Sequence, residues 1–261
     1  DNTIPIIGIT GAPGAGKSTL INSLLKKLTD AQKKVGVIAV DPTSPFTMGS
    51  ILGDRIRMEE HFINENVFIR SLATRGSLGG LSAKTIEVSD VMKCFGFDYI
   101  IIETVGVGQS EVEIMGLADT TVLVLVPEGG DEVQTIKSGI MEIADVFVVN
   151  KCDREGADRF VKNIHQLLHE KAANEWTPPV IKAIATNDTG TEELIEKITE
   201  HGKNSSKTRR LFLLAEKAYR LIQSEKMKNI IKSDLKNDIE QAFINTPNFN
   251  IYRFTRNYSQ K

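Results

Sequence analysis

The residues Gly11-Ala12-Pro13-Gly14-Ala15-Gly16-Lys17-Ser18 fit G-x-x-x-x-G-K-[ST] at every fixed position. Each residue type has a chemical reason to be there. Glycines let backbone N–H groups turn inward around phosphate oxygens, and the N-terminus of a following helix adds its positive end. Lys17 supplies a point charge for the outer phosphates, and Ser18, with Thr19 beside it, opens the helix and offers a hydroxyl to Mg²⁺. An apolar run from Ile4 to Ile9 precedes the loop and a helical periodicity from Thr19 to Leu28 follows it. That strand–loop–helix setting is the one the motif requires. A nucleoside triphosphate site is implied.

Three further groups extend the chemistry. Asn150-Lys151-Cys152-Asp153 follows a buried-looking run, and a carboxylate at Asp153 can accept from both the ring N–H and the exocyclic amine of guanine. Adenine lacks that donor pair, so the expected nucleotide is GTP, with GDP as product. Glu103-Thr-Val-Gly106 stands where such proteins place an acidic Mg²⁺ group and then a glycine whose N–H contacts the γ-phosphate. Asp41 and Asp54 bracket a turn-rich loop long enough to follow the γ-phosphate, and hard carboxylate oxygens suit Mg²⁺ directly or through water. The expected catalytic set is therefore Lys17, Asp41, Asp54 and Glu103, with Ser18, Asp41, Asp54 and Glu103 around the metal.

Other residues are open to two readings. Arg75 lies in a glycine-rich loop and could neutralise developing charge or stay solvated, and Asp54 could instead cap a short helix. The charged, glycine-bearing loop from Pro127 to Lys137 suits contact with nucleotide or partner. His165 and His169 stand four apart on one helical face without a third ligand nearby, so a zinc site is not supported, and Cys94 is assigned to packing.

The elements that must position these groups follow from hydrophobic patterning. Strands are expected at Ile4–Thr10, Val35–Asp41, Val67–Leu72, Asp98–Glu103, Thr121–Val126, Val146–Asn150 and Val180–Ala185. Helices are expected at Thr19–Leu28, Leu81–Phe95, Asp131–Ile143, Ala157–Lys171 and Glu192–His201. Nearly unbroken Val/Ile runs indicate strands buried on both faces, hence an α/β fold of the P-loop NTPase type with a mostly parallel sheet covered by helices. Every motif falls just after a strand, where open α/β sheets bind ligands. The polar, basic stretch from Lys203 to Arg210 reads as a hinge, dividing a nucleotide domain (1–202) from a C-terminal helical extension (203–261). In the extension, Leu211, Leu214, Ala218, Leu221 and Ile222 recur at helical spacing.

Composition narrows the function classes. With 261 residues the chain can build one large domain and a small appendage, and 41% hydrophobic residues suffice for its core. A net charge of −2 and 6% aromatic residues argue against nucleic acid as a partner. Two cysteines suggest no disulfide framework, so a reducing, cytoplasmic setting is expected. No stretch reaches the roughly 18 apolar residues of a membrane span, and no secretory leader precedes the first strand. The opening Asp1 in place of Met is consistent with removal of an N-terminal piece.

With these residues in place, the chain resembles the methylmalonyl-CoA mutase-associated GTPases. These are metallochaperones of adenosylcobalamin-dependent acyl-CoA mutases, formerly labelled LAO/AO transport-system ATPases or kinases. The likeness rests on Asp41-Pro-Thr-Ser-Pro-Phe46, Gly53-Asp-Arg-Ile-Arg-Met58, Arg75-Gly-Ser-Leu-Gly-Gly-Leu81, Glu103-Thr-Val-Gly-Val-Gly-Gln-Ser-Glu111 and Gly130-Asp-Glu-Val-Gln134. It runs from Ile6 to Asp153 and more loosely to Leu194.

The resemblance implies GTP hydrolysis that gates delivery of cofactor to the mutase or removal of damaged cofactor. It implies Asp41, Asp54 and Glu103 near Mg²⁺, the loop Pro127–Lys137 against the mutase, and a homodimer formed through the C-terminal helices. The last nucleotide loop, Ala183-Ile-Ala-Thr-Asn187, lacks the family's Ser-Ala pair, so only the backbone of Ala185 carries over as a base contact. Met48 stands where a glycine is usual, and the tail after Ile244 matches nothing in the pattern. Two rivals are a nucleotide-driven accessory ATPase or kinase of an amino-acid transport system and a metal-insertion GTPase. No kinase catalytic loop or transporter signature appears, and four scattered histidines do not make a metal tract.

Overall fold

A computed structural model describes residues 4–41, 58–73, 83–104, 113–127, 144–170, 176–204, 207–246 and 248–258. The isoleucine- and valine-rich runs form strands β1 (Ile6–Thr10), β2 (Val35–Asp41), β3 (Val67–Ala73), β4 (Tyr99–Glu103), β5 (Thr120–Leu125), β6 (Val146–Val149) and β7 (Val180–Lys182). They make one seven-stranded sheet in the order β3-β2-β4-β1-β5-β6-β7. Every pairing is parallel, with Ile9 level with Glu103 on one side of β1 and with Val122 on the other. A parallel sheet needs crossovers that cover both faces, which is why its strands carry apolar residues without alternation.

Helices α1 (Lys17–Asp30), α2 (Ala83–Lys93), α3 (Ala157–Glu170) and α4 (Thr191–Asn204) cover it. On one face Leu20, Ile21, Leu24 and Leu25 of α1 pack with Leu194 and Ile198 of α4 over Ile7, Ile9, Val122 and Val148. On the other face Ile86 and Met92 of α2 cover Ile38 and Ile100, while Phe160, Ile164 and Leu168 of α3 cover Leu125 and Phe147. Each such side chain taken fully out of water contributes roughly 1.5–3 kcal/mol.

Most expected strands fall within a residue or two of their observed bounds. The exception is the last, which stops at Lys182 because Ile184 turns back to bridge Thr189. Asp188 (φ 61°) and Gly190 (φ 81°) take the left-handed conformation that closes this turn, and Ala185–Asn187 becomes a short 3₁₀ turn. The helix expected at Asp131–Ile143 lies outside the described residues.

Helices flank the stretch expected as a hinge. Helix α4 runs through Asn204, and α5 (Lys207–Met227) begins directly after the undescribed pair 205–206. Arg209 at its root is held to Asp145 at 2.6 Å. Local composition gives no hint of a partner 64 residues away. The chain divides into two compact units, Asp1–Lys217 and Ala218–Lys261. The second contains the rest of α5, α6 (Lys232–Asn245) and α7 (Ile251–Tyr258), the last two joined by a run of ring contacts from Phe243 through Phe249 and Phe254 to Tyr258. Among the described residues no helix is long and apolar enough to cross a membrane.

Candidate functional site

Because the strands are parallel, their carboxyl ends line one edge. Gly11 follows β1, Asp41 ends β2, Glu103 ends β4 and Asn150 follows β6, so residues far apart in sequence meet there. Side-chain placement is described for all but Asp41, whose backbone alone fixes it at the edge. Asp54, Gly106, Arg75 and the loop 128–137 lie outside the described residues.

The phosphate loop is shaped by its glycines. Gly11 has φ 142°, and a Cβ there would stand 2.2 Å from the carbonyl oxygen of Val124 on β5. Gly16 caps α1 in the left-handed conformation (φ 89°), with its Cβ position 2.4 Å from Asn150 Nδ2. Pro13 and Gly14 form the exposed tip, Ala12 is half-buried, and Ala15 is buried. The loop's carbonyls are engaged by its surroundings. Lys17 Nζ donates to Gly11 O (2.8 Å) and Ala12 O (3.1 Å), Lys151 Nζ donates to Gly14 O (2.8 Å), and Asn150 Nδ2 donates to Ala15 O (2.9 Å). The first N–H groups of α1 have no carbonyl within the helix to bond, which makes this end a ready cradle for an anion. Replacing Gly11 by Ala is expected to destabilise the fold by about 2 kcal/mol or more, since Cβ meets backbone and not a movable side chain. A chemical denaturation midpoint unchanged by Gly11→Ala would contradict that.

Beside the cradle, Ser18 Oγ donates to Glu103 Oε1 at 2.8 Å, both residues being buried. Beneath them Thr104 Oγ1 donates to Thr10 Oγ1 at 2.9 Å, tying the end of β4 to the end of β1. A hydroxyl and a carboxylate side by side next to a phosphate cradle are the hard-oxygen donors Mg²⁺ takes, the ion filling its other positions with phosphate and water. Among the described residues no cluster of three or more His, Cys, Asp or Glu forms a dedicated metal cage. Thr19 is exposed at the head of α1.

The segment Asn150–Asp153 is joined to the same loop. Asn150 is buried, and its amide bridges two loops, giving Nδ2–H to Ala15 O while Oδ1 accepts the N–H of Ala185 at 3.1 Å. Ala185 is thus brought to the site, with its amide directed to Asn150 in this arrangement. Lys151 takes a left-handed conformation (φ 59°), and Asp153 is exposed. Cys152 Sγ donates to Val149 O at 3.0 Å, and burial pushes the thiol pKa up, which disfavours the thiolate.

One set of contacts is invisible to motif reading. Ser23 and Thr191 hydroxyls meet at 2.6 Å in the interior, and Lys26–Asp188 and Lys27–Glu192 pair at 2.6 Å on the surface. They clasp α1 to the turn after β7. The exposed pairs add little stability by themselves. The hydroxyl contact is buried, where a lone partner would be costly. Sequence spacing offers no signal for them.

Similarity to known proteins agrees with this geometry. A sequence model described as "Methylmalonyl Co-A mutase-associated GTPase MeaB" matches residues 3–243. The chain belongs to the MeaB family of GTPases. A candidate GTPase of Pyrococcus horikoshii is 52% identical over 241 residues, 91% of this chain and 75% of that protein. The mouse protein named methylmalonic aciduria type A homolog, mitochondrial, is 40% identical over 201 residues, 74% of this chain and 48% of that one. A crystal structure described as an LAO/AO transport system kinase superposes with a TM-score of 0.64 at 25% identity, covering 99% of this chain and 81% of that one. This MeaB-family chain is a GTP hydrolase on a P-loop NTPase fold, and a guanine nucleotide is its ligand.

Proposed function

We propose that this GTPase is the chaperone of an adenosylcobalamin-dependent acyl-CoA mutase, in the first place methylmalonyl-CoA mutase, gating cofactor delivery or reactivation by GTP hydrolysis. The observation that carries the reading is the family match over residues 3–243, whose description names that mutase. Two free cysteines, Cys94 exposed and Cys152 half-buried, suit work in a reducing cytoplasm.

In this reading the residues 11–19 and Gly106 cradle the phosphates, and Asn150, Lys151, Asp153 and the segment at Ala185 read guanine. Ser18 and Glu103 would hold Mg²⁺, with Asp41 and Asp54 acting through water. Held there, the ion would supply positive charge against the nucleotide's phosphates. Lys17 moves from the Gly11 and Ala12 carbonyls to the γ-phosphate, stabilising charge that grows in the transition state. Glu103, Asp41 and Asp54 orient the attacking water. Residues 1–202 form the nucleotide domain and 203–261 the arm, whose exposed Leu211, Leu214, Leu221 and Ile222 suit a second copy of the chain. Sedimentation at micromolar concentration is expected to give a dimer that a chain ending at Lys217, which keeps Arg209 on Asp145, does not form. A monomer in both cases would remove this part of the reading.

The deciding experiment is steady-state hydrolysis with and without mutase. A partner that binds the hydrolysis-ready arrangement more tightly raises its population by linkage. Slow GTP turnover alone and faster turnover with mutase are expected, with Lys137→Ala blunting the acceleration but not nucleotide affinity. Unchanged turnover across adenosylcobalamin-dependent acyl-CoA mutases would overturn the assignment. Full stimulation of Lys137→Ala would remove only the loop's role.

A further inference from the structure

At the edge of the sheet opposite the nucleotide site, β5 and β6 begin beside a buried ionic cluster that the hydrolysis mechanism does not use. Its centre is Asp145, the residue before β6. One carboxylate oxygen, Oδ2, accepts the N–H of Thr121 at 2.8 Å and meets Arg209 Nη2 of α5 at 2.6 Å. The other, Oδ1, faces His201 Nε2 of α4 at 3.4 Å, just beyond ordinary hydrogen-bond distance. The far nitrogen of that ring, Nδ1, lies 2.8 Å from Thr120 Oγ1. Trp176 donates its indole N–H to the Asp145 carbonyl at 2.8 Å and stands edge-on to the His201 ring at 5.0 Å. Asp119 also faces His201, with Oδ2 accepting the N–H of Ile6.

Two side-chain donors therefore face one carboxylate besides the Thr121 N–H, and of the two only Arg209 is in close contact. Burial holds the imidazole pKa down against the pull of Asp145, with the Arg209 cation adding to the depression. The neutral ring is favoured while Arg209 is seated. The partners favour the tautomer with Nε2–H toward Asp145 and Nδ1 accepting from the Thr120 hydroxyl. A buried carboxylate stripped of its cation is strongly destabilising. Here, however, a second donor already stands a few tenths of an ångström outside contact distance. Because His201 faces the other oxygen, Asp145 keeps a side-chain partner if Arg209 leaves, which allows a second arrangement with His201 drawn in and α5 released at its root.

The strands connect this cluster to the nucleotide. Asp145 and Asn150 flank the four residues of β6, and Asn150 bonds both the phosphate loop and Ala185. Thr120 and Thr121 open β5, whose Val124 carbonyl abuts Gly11 and whose Leu125 carbonyl accepts the N–H of Asn150. These hydrogen-bonded rods span roughly 16 Å. We propose that Asp145 is a switchable carboxylate that exchanges Arg209 for His201, so that the nucleotide state at the far ends of β5 and β6 sets how firmly the root of α5 is held. By reciprocity, whatever engages α5 alters nucleotide affinity. The inference rests on the GTPase reading of the carboxyl edge.

Trp176 is the chain's single tryptophan and touches the cluster, so its emission is the natural readout. The full chain is expected to show different Trp176 emission when saturated with GDP and with a non-hydrolysable GTP analogue. Arg209→Leu leaves His201 as the one side-chain donor, and His201→Phe keeps a ring against Trp176 while removing that alternative donor. Both are expected to lose the difference. Identical emission of the unmodified protein in the two states, or a difference that survives in either variant, would overturn the proposal. If Arg209→Leu does not fold, His201→Phe carries the test. Calorimetric binding of both nucleotides in the same samples separates loss of coupling from failure of the site.

Discussion

Asp153→Asn is expected to lower GTP affinity by about a hundredfold or more and to transfer preference to xanthosine triphosphate. A site built to accept two hydrogen bonds from guanine rejects a base that lacks the matching pattern, because its polar groups are then left unpaired. Asn offers one donor and one acceptor where Asp offers two acceptors, which suits xanthine, whose second exocyclic group is an oxygen. Asp153 is exposed at a loop, so the substitution leaves the core alone. The adjoining Asn150 and Lys151 keep their bonds to Ala15 and Gly14, so the phosphate loop stays intact and the lost affinity is the base's own. Calorimetry of both proteins with GTP, ATP and xanthosine triphosphate measures this. Equal binding of ATP and GTP by the unmodified protein would remove Asp153 from base recognition.

Lys17→Ala is expected to slow single-turnover hydrolysis by about 10²–10³-fold, the usual cost of removing one preorganised stabiliser of transition-state charge. The fold should survive, since the ammonium gives up only two loop carbonyls, of buried Gly11 and half-buried Ala12. A stability loss of about 1 kcal/mol would reflect those carbonyl bonds. Rates at saturating GTP, with denaturation midpoints alongside, separate the two effects. Hydrolysis within threefold of the unmodified protein would show that phosphate charge is neutralised elsewhere.

The sheet was legible from sequence because its strands are buried on both faces. Runs such as Ile6-Ile7 or Thr121-Val122-Leu123-Val124 admit few other readings, and the observed β1 and β5 lie within two residues of expectation. The phosphate loop was legible for a different reason. Gly11 and Gly16 occupy conformations or contacts that no side chain tolerates, so their chemistry is written at fixed spacing. Strand β7 was overextended because nothing local announces that Ile184 pairs back on Thr189. Nor does the polar, basic composition of the stretch 203–210 announce that Arg209 pairs with a buried carboxylate.

Sequence alone determined the ligand class, the parallel α/β sheet and the family, since each depends on residue types at short, fixed intervals. Tertiary structure decided what those intervals cannot encode. It put Ser18 against Glu103 across 85 residues and let Asn150 bridge the phosphate and base loops across 135. It also set Asp145 between Arg209 and His201. Such contacts depend on which strand lies beside which, and strand order in a parallel sheet is settled by how the crossovers pack on its two faces.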